Sequence, residues 1–428
     1  SGFQAYLVGG AVRDLLTGKT PHDWDLATNA LPDQVEAIFP LTVPTGKKYG
    51  TVTITGNGHS IEITTLREDL AYSDGRRPDL VRFTKEITAD LARRDFTINA
   101  MAYDLGTQTL IDPFGGKHDL RRRVLKAVGD PKIRFKEDGL RMFRFYRFLA
   151  TLDLRPEQAT IKAINPQWAV PVSKERVGAE LHKMLVGTAA VKGLEGLQDS
   201  GLLELVIPEL GREELESGDS RKKPLWQHLC ATVAAIRPQL HLRWAALLHD
   251  IGKPLTKKTG PDGLHFYGHA ETGAKISRLI LERFHYPNSL INQVVKLISL
   301  HMFTLGFPYS DAAIRRLIAK TGTTVIGDLL ELRRADIVAT GQITSATWEY
   351  WQDLTQRINA VLDEANVYQV NQLALNGYDL MNGLQLPPGP KIGKILRFLL
   401  EQVLEDPGLN RKDILLRLAR KYQKTDES

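Results

Sequence analysis

Cysteine is nearly missing from this 428-residue chain. Cys230 stands alone, so no disulfide can form within the chain, and a reducing, cytoplasmic setting fits. No apolar run approaches the roughly 20 residues that a membrane-spanning helix needs. No secretory leader is legible at the opening "SGF", which also lacks a methionine. Internal repeats and low-complexity tracts are absent, which argues against solenoids and biased linkers. Neither sign of charge dominates: 56 Lys and Arg against 50 Asp and Glu leave a net charge of +6. That balance permits a polyanionic partner and equally an ordinary basic enzyme.

The length exceeds what one core usually holds, so two to four domains are expected. Residues 1–125 read as mixed α/β. "AYLVGG" is a buried-strand run ending in glycine, "AVRDLLTG" has helical spacing and closes on Gly18, and "DWDLATN" is strand-like again. "LPDQVEAIF" reads as a helix, and "TVTITGNGHSIEITTL" alternates around "GNG" as a hairpin does. From 126 onward the period is helical. Segments 126–212, 213–340 and 341–428 are expected as all-helical domains, with the charged stretch "GREELESGDSRKK" as a linker and "LPPGPKIGK" as a break.

The first chemistry-bearing cluster lies near the start. Asp23 and Asp25 are two apart, and on a strand such residues share a face. Two carboxylates forced together repel and favour a hard cation, although an isolated pair is also common as surface charge. Gly9 and Gly10 precede a helix, where free backbone N–H groups suit phosphate, and Arg13 adds charge. Glu62 on the hairpin is either a third carboxylate near the metal or a solvated charge. Lys47 and Lys48 are similarly open.

"GGAVRD" followed by "DWD" resembles the head motif of the class II tRNA nucleotidyltransferases, the CCA-adding enzymes. Their polymerase-β-like head is shared with bacterial poly(A) polymerases. "RRDFTINAMAYD" (Arg93–Asp104), "DPFGG" (Asp112–Gly116), "EDGLR" (Glu137–Arg141) and "ERVGAELHKML" resemble the later motifs of the same family, in order. The resemblance implies an α+β fold: a nucleotidyltransferase head with a mixed sheet, then a helical neck and body, and a helical tail that binds tRNA. It implies Asp23 and Asp25 as catalytic Mg²⁺ ligands. Gly9, Gly10, Arg13, Arg93, Arg94, Asp95, Asn99, Asp138, Arg141 and Arg144 would bind the nucleotide. The implied substrates are CTP, ATP and tRNA, with no membrane and no DNA partner. The loop from Arg67 to Arg82 is similar to the family's flexible loop, which is implied in the switch from C to A addition.

Asp138 and Arg141 are three apart, so on a helix they share a face. A carboxylate accepts from an exocyclic amine and a guanidinium donates to a ring nitrogen or carbonyl. Cytosine and adenine each offer an amine beside an acceptor, whereas uracil and guanine offer a carbonyl there. The bland alternative is a surface ion pair. Arg121, Arg122, Arg123, Lys126 and the basic end (Arg411, Lys412, Arg417, Arg420, Lys421) are candidate RNA phosphate contacts or solvated charges.

The second cluster reads His228, His249-Asp250, His269, His301, Asp336. Imidazole and carboxylate together suit transition metals. The order resembles the HD superfamily of metal-dependent phosphohydrolases, which implies His228, His249, Asp250 and Asp336 as ligands, with His269 and His301 for a second metal. His265 and His285 are left out of it. HD domains fused behind this head occur among bacterial CCA-adding enzymes, where a phosphatase or 2′,3′-cyclic phosphodiesterase activity is implied. Three rivals remain open at this point: an enzyme adding only the terminal A, a poly(A) polymerase, and an HD phosphohydrolase with an RNA-binding head.

Overall fold

The computed structural model describes residues 2–21, 23–56, 59–70, 80–211, 224–261, 263–303, 309–341, 344–364 and 367–426. The chain divides into two compact units: residues 1–215 with 280–286, and residues 216–279 with 287–428. The first two sequence segments fall in the first unit. The last two fall in the second, apart from residues 213–215 and 280–286. The proposed linker, residues 212–223, and the centre of the long loop, residues 71–79, lie outside the described residues.

In the first unit a seven-stranded sheet is built from β1 (Ala5–Val8), β2 (Asp25–Thr28), β3 (Thr42–Gly46), β4 (Thr51–Gly56), β5 (His59–Thr65), β8 (Ala102–Asp104) and β9 (Thr109–Ile111). Its order is β3-β4-β5-β2-β1-β8-β9. Between β5 and β8, β6 (Arg67–Asp69) and β7 (Val81–Phe83) pair with each other at the foot of the long loop. Strand β1 is an interior strand with both faces covered, and its residues alternate between two cores. Tyr6 and Val8 join Ala27, Leu91 and Ala102, whereas Leu7 joins Ala11, Val12 and Met101. Within this sheet β2 and β5 form the parallel pair, and their register sets Asp25 opposite Glu62. The other pairings are antiparallel.

Helix α1 (Gly10–Leu16) follows β1 through Gly9, whose φ of 69° and ψ of −132° only glycine adopts without strain. A Cβ on Gly9 would also stand 2.9 Å from an Arg94 guanidinium nitrogen. Helix α2 (Pro32–Ile38) covers one side of the sheet, and α3 (Ile87–Ala92) and α4 (Gly116–Arg121) complete the head.

The neck helices are α5 (Pro131–Glu137), α6 (Leu140–Leu152), α7 (Gln158–Lys162), α8 (Lys174–Leu185), α9 (Ala190–Asp199) and α10 (Leu202–Val206). Helix α6 buries Met142, Phe143, Phe145, Tyr146, Phe148 and Leu149. Phe96, from the RRDFT motif, is fully buried against it, with ring centroids 5.9 Å from Phe145 and 5.6 Å from Phe148. These aromatic contacts fix the motif loop to the neck.

Apart from one short antiparallel pair of strands, Lys258–Gly260 with Gly263–His265, which the all-helical expectation missed, the second unit is helical: α11 (Leu225–Ala235), α12 (Leu240–Leu248), α13 (Lys253–Thr256), α14 (His269–Arg283, whose last residues group with the first unit), α15 (Asn288–Leu300), α16 (Asp311–Thr321), α17 (Ile326–Thr340), α18 (Ser345–Asp363), α19 (Gly377–Leu384), α20 (Pro390–Glu405) and α21 (Lys412–Asp426). The "LPPGP" break becomes the start of α20, with Pro390 in its first turn, where a missing N–H costs nothing. Leu375, Leu380, Ile395, Leu399, Leu415 and Ala419 form the core of the last three helices. Among the described residues no helix is long and apolar enough to cross a membrane.

Truncating Phe96 to Ala removes a fully buried ring from a site with little room to collapse. The expected loss is about 3–5 kcal/mol of stability in the first unit, read as an earlier denaturant midpoint for that unit. A loss below about 1 kcal/mol would contradict the packing described.

Candidate active site and metal centre

A cleft of about 420 Å³ in the first unit gathers Gly9, Gly10, Arg13, Asp25, Arg93, Arg94, Asp95, Asn99, Asp138, Arg141 and Arg144. Every nucleotide-binding candidate from the sequence is among its lining residues. Leu140, Arg147, Phe148 and Arg176 line it too, and sequence reading passed over them. Asp25 borders the cleft. Asp23 does not line it; it lies in a bend before β2 and is exposed, so the strand-alternation argument holds for Asp25 alone. Burial pushes the Asp25 carboxyl up, Arg94 pulls it down, and Asp23 raises it further. Glu62 is raised by burial and then by Asp25 and Asp23. Asp25 and Glu62 are thus both pushed toward protonation in an acidic neighbourhood that includes Asp23, and this donor set fits a hard divalent cation.

The cleft wall is cationic and held in place from below. Asp95, 8% exposed, accepts from Arg144 Nε at 2.7 Å, Phe96 N at 2.8 Å and Asn99 Nδ2 at 3.2 Å. Burial would raise its pKa, but the Arg144 charge and these hydrogen bonds bring it down to about 2. Asn99 in turn accepts from Arg13 Nη1 at 2.8 Å. Arg93 and Arg94 share the buried Asp90 carboxylate, with nitrogens at 2.7 and 3.2 Å. Arg147 lies 3.7 Å from the centroid of the Phe148 ring and pairs with Glu180 at 2.5 Å.

The expected helical face shared by Asp138 and Arg141 is corrected at one point. Asp138 has extended backbone, φ −146° and ψ 106°, between α5 and α6. Its carboxylate accepts from Leu140 N at 3.0 Å and pairs with Arg176 of α8 at 2.7 Å. Arg141 donates instead to Glu137 Oε2 at 2.6 Å and to the Arg93 carbonyl at 3.0 Å. The two side chains share the cleft without pairing with each other, each held by partners of its own. Arg176 sits in the quoted "ERVGAEL" segment; only its partner, 38 residues away, was invisible in the sequence.

Other candidates lie elsewhere. Lys47 pairs with Asp33 at 2.6 Å and Glu36 at 2.8 Å. Lys48 lies over Tyr49, and Arg123 pairs with Asp153. Arg121, Arg122 and Lys126 are exposed.

The second unit assembles all six residues of the other cluster. His228 is on α11, His249 caps α12 with Asp250 beside it, His269 begins α14, His301 caps α15, and Asp336 is on α17. Two groups share Asp250: His228, His249, Asp250, and Asp250, His269, His301. Asp250 Oδ2 is 3.5 Å from His228 Nε2 and 3.3 Å from His249 Nε2. Oδ1 is 3.3 Å from His269 Nε2 and 3.6 Å from His301 Nε2. Asp336 Oδ1 closes the first group at 3.2 Å from His228 Nε2. His265 and His285 belong to neither group.

The tautomers explain what this arrangement asks for. His249, His269 and His301 each direct Nδ1 at the carbonyl three residues back, at 3.0, 2.8 and 2.7 Å. A ring that donates from Nδ1 leaves Nε2 as a bare lone pair when neutral. The Nε2 atoms of His269 and His301 then face each other at 3.3 Å, which is repulsive unless a proton or a cation lies with them. Burial alone would lower His249, but Asp250 and Asp336 push it up to about 10, a demand for positive charge that protons or a metal can meet. The donor set fits a transition metal. Lys253 and Arg333 contact the same two carboxylates at 2.5 Å. Together with His228, His301 and Met302 they line a cleft of about 240 Å³.

Comparison with known proteins gives three family matches: a Poly A polymerase head domain at residues 5–126, "Probable RNA and SrmB- binding site of polymerase A" at 157–213, and tRNA nucleotidyltransferase domain 2 at 266–419. The last match runs across the boundary drawn at residue 340. A CCA-adding enzyme of Geobacillus thermodenitrificans is 33% identical over 431 aligned residues, covering 100% of this chain and 95% of that relative. One from Pediococcus pentosaceus is 31% identical, covering 100% of this chain and 96% of that relative. The crystal structure of the Bacillus stearothermophilus CCA-adding enzyme in complex with CTP aligns with a TM-score of 0.75 at 28% identity, covering 100% of this chain and 95% of that one.

Two measurements test the geometry. Asp95 is depressed relative to its unfolded value, so its stabilisation is full above about pH 4 and is lost as pH falls through about 2. The stability gap between wild type and Asp95→Asn, about 2–3 kcal/mol at neutral pH, should close over that window. A gap that does not change with pH would remove the ionic account. For the second cluster, chelator-treated protein should take up Mn²⁺ or Ni²⁺ and melt higher with it. Asp250→Asn, which touches both groups, should lose all uptake, whereas His301→Ala should lose only part. Uptake unchanged in Asp250→Asn would refute the site.

Proposed function

The chain belongs to the family of CCA-adding enzymes, and from that premise we propose how its head works. The enzyme adds C, C and A to the 3′ end of tRNA from CTP and ATP, without a nucleic-acid template. The observation that carries the reading is the first-unit cleft, where the glycine turn, a cationic wall and the acidic edge at Asp25 converge.

The tRNA 3′-hydroxyl attacks the α-phosphate of the bound nucleotide, a new P–O bond forms, and the bond to pyrophosphate breaks. Gly9, Gly10 and Arg13 bind the triphosphate, and Arg93, Arg94, Asp95 and Asn99 hold sugar and phosphates in line. Asp23 and Asp25 would hold Mg²⁺, which when bound supplies activation of the hydroxyl and neutralises the leaving charge. Asp138 accepts the exocyclic amine of cytosine or adenine, Arg141 donates beside it, and Arg176 keeps Asp138 oriented. Uracil or guanine would set a carbonyl oxygen against that carboxylate in place of an amine donor, at a cost of about 1–3 kcal/mol. Arg144 and Asp95 lock α6 to the motif loop beneath the base. The A-adding-only, poly(A) polymerase and hydrolase-only readings are not favoured, because the relatives matched along the whole chain are CCA-adding enzymes.

The second unit is read as an HD phosphohydrolase centre. His228, His249, Asp250 and Asp336 would hold a transition-metal ion, with His269 and His301 available to a second. A metal bound there supplies a water nucleophile at neutral pH. Lys253 and Arg333 would receive a phosphate ester such as a damaged RNA 3′ end. A single buried cysteine suits a reducing cytoplasm.

The test is extension of three tRNA transcripts, ending at the discriminator base, at C and at CC, with labelled CTP or ATP and Mg²⁺. All three should extend and stop at CCA. Asp25→Ala should lose about a thousandfold in rate or more, and Arg176→Ala should raise the KM for CTP and admit UTP and GTP about tenfold more often. Extension of the CC-ended transcript alone, with ATP only, would make it an A-adding enzyme. No extension of any transcript would sink the transferase reading.

A further inference from the structure

His265 lies outside both metal groups of the second unit. It belongs to an aromatic surface beside them. Strand Lys258–Gly260 pairs antiparallel with Gly263–His265, and the register sets Lys258 opposite His265, so these two side chains share one face. Tyr267, two residues on, lays its ring on the His265 imidazole, with centroids 5.2 Å apart and an interplanar angle of 9°. At that separation the stack is offset, and the two rings form a flat step wider than either alone. Tyr267 is 74% exposed, so much of its surface is open to a ligand.

Phe266 ties this step to the metal-ligand cluster. Its carbonyl accepts from His269 Nδ1 at 2.8 Å. Its ring centroid lies 5.8 Å from Lys253 Nζ, which itself pairs with Asp250 at 2.5 Å. Gly268, at φ 77°, turns the chain into α14, so that His269 is buried while Tyr267 faces solvent. Two residues separate the Cα atoms of Tyr267 and His269 by no more than about 7 Å. A phosphate ester received by Lys253 and Arg333 therefore has an open aromatic step close beside it.

A small phosphate ester gains nothing from such a step. A nucleotide does, because its base is carried one sugar away from its phosphate. Every base has a π-face, so stacking on aromatic rings holds a base whatever its hydrogen-bonding edge. We propose that the Tyr267–His265 step is a nucleobase platform for the second-unit centre, which thereby takes nucleoside phosphates and RNA ends of any base in preference to base-free sugar phosphates. Lys258, exposed on the same face, would meet a neighbouring phosphate of a longer strand. The inference rests on the HD reading of that centre and adds the group that recognises the substrate.

The test is equilibrium dialysis of the chelator-treated full chain against labelled adenosine 3′-monophosphate, cytidine 3′-monophosphate and base-free ribose 3-phosphate. The head cleft is common to wild type and variants, so a difference between them belongs to the step. The two nucleotides should bind alike and about tenfold more tightly than the base-free ester, and Tyr267→Leu should remove that advantage. Tyr267→Phe and Tyr267→Trp should bind as wild type does, because the flat ring and not the hydroxyl is used. In Mn²⁺-loaded protein Tyr267→Leu should raise the KM for a nucleoside 2′,3′-cyclic phosphate about tenfold with kcat retained. Its Mn²⁺ uptake and its tRNA extension should match wild type, which shows that the fold is intact. Nucleotides bound no more tightly than the base-free ester, or wild-type affinities in Tyr267→Leu, would overturn the proposal. Base-dependent binding that Tyr267→Leu abolishes, in a protein that hydrolyses none of these esters, upholds the platform and refutes the hydrolase reading alone.

Discussion

A buried carboxylate can keep its charge only if neighbours supply what water no longer does. The head cleft depends on Asp95 meeting that condition. Its partners come from different parts of the first unit: Arg144 from the neck helix, Asn99 from its own loop, and through Asn99 the Arg13 of the first helix. One ionised side chain thereby fixes the relative positions of the phosphate-binding turn and the helix that follows the base-reading motif. Removing a partner would leave an uncompensated charge in a poorly solvated place, which is why the arrangement holds as a unit.

Asp250 plays the corresponding part in the second unit, with the opposite requirement. Asp95 is satisfied by three fixed donors, a guanidinium, a side-chain amide and a backbone N–H. Asp250 faces four imidazole nitrogens, and three of those rings have spent their Nδ1 protons on backbone carbonyls. What remains is a set of lone pairs and carboxylates aimed at common points, beside which Lys253 and Arg333 supply positive charge from the chain itself. The two units thus surround buried carboxylates differently, one with guanidinium and amide donors and the other mainly with imidazoles.

The order of motifs made much of this legible. Strand, glycine turn and short helix at the start, the hairpin around "GNG", and the helical period after residue 126 follow from local patterns that packing did not override. All ten nucleotide-binding candidates line one cleft because the motifs that carry them are long and specific. Local geometry departs from the spacing argument at two places. Asp23 precedes a strand that begins two residues later, and Asp138 precedes the helix that carries Arg141.

The sequence by itself determined which residue types are present for chemistry and which segments are helix or strand, because those depend on spacing within a dozen residues. It also carried the family, through motifs whose order chance does not produce. Only the tertiary structure decided the partners: Arg176 for Asp138, Asp95 for Arg144, and Asp250 between two histidine pairs drawn from four helices. Such pairings depend on which surfaces meet after folding, and no periodicity along the chain encodes a contact between residues that lie far apart in it.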